Sequence, residues 1–140
     1  MADNEMMTIV EFSEDISTAE APEPLPVGEY PATIRAAEVK LSQRGTRYAA
    51  VTFHIAPEEF PADYPSDIAP DGKTIVFRRL SMEDNQQARF GLRRFCESIG
   101  APMSKKVDLS EWVGLDAKIE VEHDTYEGVT REQIVRVNEA

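Results

Sequence analysis

Five stretches of this chain alternate apolar and polar residues with the period of a β-strand, and one repeats with the period of a helix. From Gly28, the residues Tyr30, Ala32, Ile34 and Ala36 fall on one face, with Thr33, Arg35 and Ala37 on the other. Ser42 to Thr46 supplies a turn in which Gly45 can take the positive φ that hairpins commonly use. A second strand sets Val51, Phe53 and Ile55 against Tyr48, Ala50, Thr52 and His54. A long segment from Pro57 to Gly72 follows, and its four prolines forbid a regular helix or central strand. Lys73 to Leu80 forms a third strand.

Ser81 is an expected N-cap for a helix whose apolar positions Ala88, Leu92, Phe95, Cys96 and Ile99 make one stripe, stopped by Gly100 and Pro102. After Leu109 to Gly114, a fourth strand points Ala117, Ile119, Val121 and His123 inward; a turn over Tyr126 to Gly128 leads to a fifth, centred on Ile134 to Val137. The third strand has two readable faces. With Val76 and Leu80 as core, Lys73, Phe77 and Arg79 form an outward basic and aromatic face. The order hairpin, strand, helix, hairpin predicts an all-β fold with one helix, a closed five-stranded OB-fold barrel preceded by a flexible arm. An α+β sheet with one helix fits nearly as well; the helix between the third and fourth strands favours the barrel.

Charge is segregated along the 140 residues, which carry a net charge of -11. Residues 1–26 hold seven acidic and no basic side chains; residues 27–106 hold 12 basic and 10 acidic; residues 107–140 hold 3 and 9. Screening beyond about 10 Å lets a local basic surface act on a molecule that is acidic overall. The expected organisation is an acidic, largely flexible arm over residues 1–26 and one folded domain over 27–140. Ser13 to Pro26 is too polar to offset its ordering entropy, whereas the apolar run Met6, Met7, Ile9, Val10 and Phe12 could add a strand to its own sheet or bridge two protomers of a homodimer.

Catalytic signatures are missing. A lone cysteine, Cys96, forms no internal disulfide; His54, Cys96 and His123 lack zinc-ligand spacing; Asp63, Asp67 and Asp71 do not follow the pattern of an EF-hand loop. No phosphate-cradling glycine loop or nucleophile elbow is found. These absences predict a binding protein without cofactor or metal, not an enzyme, and the lack of an apolar leader or membrane-length segment predicts a cytoplasmic location. In an OB-fold, oligomers lie on the second and third strands and the flanking hairpin loops. Arg35, Arg44, Arg47, Lys73 and Arg79 fall there as phosphate contacts, and Tyr48, Phe77 and Tyr126 as rings for unstacked bases. Arg89, Arg93 and Arg94 read as a solvated helix face that could double as an auxiliary phosphate track.

The segments LPVGEYPATIRAAEVKLSQRGTRYAAVTFHI, TIVFRRLSMEDNQQARFGLRRFCESIGAP and DLSEWVGLDAKIEVEHDTYEG resemble phage-encoded single-stranded DNA-binding proteins of the OB-fold type. The shared positions are Pro26, Gly28, Tyr30, Gly45, Gly100, Ala101, Leu109 and Gly114. The resemblance implies sequence-tolerant binding of single-stranded DNA in phage replication or recombination, inside the host cytoplasm. Such proteins often recruit a replication or recombination partner through an acidic C-terminal tail. Here the acidic extension is N-terminal, so recruitment would move to that arm. The competing expectation is an acidic adaptor or DNA mimic that binds a protein; a carbohydrate module is weaker, because the exposed strand face has few rings.

Overall fold

A computed structural model describes residues 7–140; Met6, with the acidic residues Asp3 and Glu5 of the arm, lies outside them. The elements are β1 (Gly28–Leu41), β2 (Arg47–Ile55), β3 (Lys73–Ser81), α1 (Gln86–Ile99), β4 (Asp116–Tyr126) and β5 (Val129–Asn138), with 3-10 turns at Ile16–Thr18, Pro57–Glu59 and Leu109–Trp112. The strands form one antiparallel sheet in the order β3-β2-β1-β4-β5. No ladder joins β3 to β5, so the expected closed OB-fold barrel is corrected to an open five-stranded sheet with one helix. Closure depends on strand tilt and stagger, which a hydrophobic pattern does not encode. Here the two edge strands are connected by side chains, Lys73 to Glu132, and α1 packs against both.

Alternation chooses the core face. Ala49, Val51, Phe53 and Ile55 of β2, Tyr30, Ala32 and Ile34 of β1, and Ala117, Ile119 and Val121 of β4 are buried together. The α1 stripe closes over them, with Phe95 lying against Phe77 and Trp112 at centroid distances of 6.0 and 5.2 Å. Asn85, not Ser81, caps the helix: its side chain accepts from the Ala88 N–H at 2.8 Å. Ser81 instead ends β3.

A bulge decides the facing of β3. Phe77 sits opposite Val51 and Leu80 opposite Ala49, so Arg78 and Arg79 together oppose the single residue Ala50. The extra residue resets the alternation. Ile75, Phe77 and Leu80 therefore all face the core, Val76 lies outward beside Thr52, and both arginines of the bulge are exposed. Neither single period-two reading of this strand was right; an inward Val76 with an outward Phe77 is corrected to the reverse.

The domain begins before its first strand. Leu25 is fully buried. Its N–H donates to Glu132 Oε2 at 2.8 Å and its carbonyl accepts from His123 Nε2 at 2.6 Å, while the Tyr30 and Tyr64 hydroxyls donate to the carbonyls of Pro26 and Glu23. Tyr64 is buried and meets Phe60 edge-on, so the proline-rich segment is pinned by its two rings. Gly72 closes that segment at φ +89°, where an added Cβ would collide with the Ile55 carbonyl oxygen.

Candidate nucleic-acid interface

The charges singled out in the sequence are divided by the fold into three environments. At one end of β3, Lys73 pairs with Glu132, and both side chains are mostly covered. Burial works against the Glu132 carboxylate, yet hydrogen bonds from Lys73 and the Leu25 N–H, with the charge of Lys73, outweigh it and hold its pKa below the ordinary value. This lysine is occupied in holding the arm's end to the sheet. Phe77 is half-buried with its ring stacked on Phe95, which commits it to packing.

Arg47 and Tyr48, adjacent in sequence, point to opposite faces of β2. Arg47 lines a groove of about 1000 Å3 along one flank of α1, where its Nε lies 3.5 Å from Glu83. Tyr48 is half-buried on the outer face, opposite Lys40 on β1 and Ser81 on β3. Ser81 in turn lines a pocket of about 430 Å3 on the other flank of α1, walled by Arg79, Asn85, Gln87, Phe90 and Arg94. That volume lies within the range of small-ligand sites.

This pocket is the most chemically suggestive place on the surface. No carboxylate lines it. Among the described residues, Arg78, Arg79 and Arg94 make no ion pair with Asp or Glu, in contrast to Arg47, Arg89 and Arg93. Arg94 lies over the Phe90 ring at 5.9 Å from its centroid, one turn along the helix, and that ring is 56% exposed. Two guanidinium groups with a hydroxyl and amides can grip a phosphate, and the ring offers a face to a base. Residues 73–106 hold eight basic and three acidic side chains, so this is also where the chain's positive charge concentrates.

The remaining expected contacts are spread out. Arg35 belongs to a bulge in β1 and donates to His54 Nδ1 at 3.1 Å, which leaves Nε2–H of His54 to donate to the Asp71 carbonyl. Arg44 stands exposed at the tip of the first hairpin, beyond the Leu41 end of β1. Tyr126 is 74% exposed, but it lies past the Gly28 end of β1, before a two-residue turn in which Glu127 and Gly128 both have positive φ. The two loops expected to frame one site thus start from opposite ends of β1.

Phe90 was missed in the sequence, and Arg94 was read mainly as part of a solvated face. A signal existed: Phe90 falls off the apolar stripe, about 200° around the helix from Ala88, and precedes Arg94 by four residues. Among the described residues no group of three or more potential metal ligands occurs, and no helix is long and apolar enough to cross a membrane. No protein-family model matches the chain, and no curated protein matches it.

Proposed function

We propose that this domain binds single-stranded nucleic acid without sequence preference, on a surface running from Arg44 and Tyr48 past Ser81 to Arg79, Arg94 and Phe90. The observation that carries the reading is the carboxylate-free pocket with two unpaired arginines and an exposed ring, on a chain that is otherwise strongly acidic. Arg79 lines it from the β3 bulge, where it and Arg78 are both exposed. DNA as the ligand, and replication or recombination in a phage-infected cytoplasm as the setting, rest on the resemblance of the glycine and core positions given above. The role is one of binding, with no reaction catalysed.

Fluorescence anisotropy of a labelled oligothymidine tests it. Each phosphate contact should contribute about -0.7 to the slope of log K against log salt, so three or four contacts give about -2 to -3. Binding that is absent at low salt would remove the proposal. On an oligothymidine that holds one molecule, deleting residues 1–22 should tighten binding by removing six carboxylates while leaving the residues that hold Leu25 in place.

A further inference from the structure

The arm and the groove on the second flank of α1 complement each other in both polarity and charge. Met7, Ile9, Val10 and Phe12 are 63–84% exposed, an uncovered apolar run of a kind that seldom stays bare on a monomer. Glu11, Glu14 and Asp15 are interleaved with it or follow it closely. The groove is lined by the apolar Met82, Leu92, Cys96, Met103 and Val107 and by four basic residues, Arg47, Arg89, Arg93 and Lys105, against two carboxylates, Glu83 and Asp84, so its lining is net positive. Two of the apolar residues are methionines, whose flexible side chains adapt to an incoming peptide. Arg47, Arg89 and Arg93 face carboxylates across exposed pairs that contribute little, so exchanging partners costs little.

We propose that the Met7–Phe12 segment of one molecule docks in the groove beside α1 of a second copy, linking copies of the chain head to tail. A second copy is favoured over the same chain because, in the isolated chain, every residue from Met7 to Glu23 is exposed and its own groove is empty of it. The contact is heterologous, arm to groove, so each molecule uses one of each and the arrangement propagates instead of closing into a dimer. The groove and the carboxylate-free pocket occupy opposite flanks of α1, so an arm and a nucleic acid can be held together. Neighbours on one strand are at high effective concentration, and a weak contact then becomes cooperative coating. Only that last consequence rests on the nucleic-acid reading.

Sedimentation velocity on the full chain without nucleic acid tests the docking. The mass average should rise with protein concentration. It should stay monomeric in the arm variant Ile9→Asp/Phe12→Asp and in the groove variant Met103→Asp/Lys105→Glu, whose substituted residues are exposed and whose melting temperatures should be unchanged. Mixing the two variants should restore a dimer and nothing larger, since one intact arm meets one intact groove. A wild-type chain that is monomeric at about 1 mM overturns the proposal. It is equally overturned if groove resonances of such a monomer shift on arm mutation, which places the arm in its own groove, or if they do not, which leaves the arm to a different protein. With long oligothymidine the arm variant should lose cooperativity; with an oligomer that holds one molecule, it should still bind, weaker than wild type only by the repulsion of its two added carboxylates. Failure of wild type on that short oligomer would sink the nucleic-acid reading and leave the sedimentation result standing.

Discussion

Lys73 and Arg79 sit six residues apart on the same strand and do opposite things. Lys73 meets Glu132, which also accepts from Leu25, so its charge is neutralised within a satisfied network that anchors the chain's entry to the sheet. Arg79 lies in a pocket without carboxylates, beside Arg94 and an exposed ring. The difference teaches that a cation on a binding strand counts towards a site only when the fold leaves its charge unspent. It also separates the molecule into an end that holds itself together and an end that is free to hold something else.

Substitutions at the two ends should therefore separate stability from binding. The largest effect is expected for Leu25→Ala, which removes a fully buried side chain and should cost about 2–5 kcal/mol in chemical denaturation, without altering oligothymidine affinity under native conditions. Glu132→Gln leaves Lys73 without its countercharge and should cost about 2–3 kcal/mol by the same measurement. At the other end, Arg79→Ala/Arg94→Ala should leave the unfolding midpoint within error. Anisotropy should show affinity lower by about 10- to 100-fold and a salt slope shallower by about 1.4. Phe90→Ala alone should weaken binding by about 1–3 kcal/mol with the salt slope unchanged, since it removes stacking and no charge.

The pH dependence sharpens the contrast with a smaller effect. The folded-state pKa of Glu132 is depressed below the ordinary 4.5, so the stability it adds is fully present above that value and is lost as pH falls through the folded value. Acid unfolding of wild type should carry this component, and Glu132→Gln should lack it. Arg79 and Arg94 line a pocket that includes neither Lys73 nor Glu132, so neither Arg79→Ala nor Arg94→Ala should change that profile.

The strand and helix positions were legible because each buries one face. Val51, Phe53 and Ile55 on β2, Ala117, Ile119 and Val121 on β4, and most of the α1 stripe are core as their periods indicate. Features that depend on one residue out of register were not legible. The bulge at Arg78 and Arg79 broke the alternation of β3, and with it the assignment of Phe77. Barrel closure failed for a related reason: the order of elements names which strands are neighbours along the sheet, but not whether its two edges form a ladder. Leu25 was hidden inside a run of prolines and glutamates whose composition reads as linker; one apolar residue caught by Glu132, His123 and the pinned loop overrides that composition. Of the eight expected site residues, Arg79 and Tyr48 come to the same outer surface, with Arg44 at the neighbouring hairpin tip. Lys73 and Phe77 are absorbed by packing, Arg35 by His54, Arg47 by the opposite face, and Tyr126 stands at the far end of β1.

The most direct measurement is a titration of isotopically labelled protein with a short oligothymidine, followed by amide and side-chain chemical shifts. The largest changes are expected at Arg79, Ser81, Phe90, Gly91 and Arg94, with Lys73, Glu132 and Leu25 silent. Changes centred on the Lys73 end of the sheet, or no changes at protein and oligonucleotide concentrations of about 1 mM, would contradict the assignment of the unpaired arginines as the site.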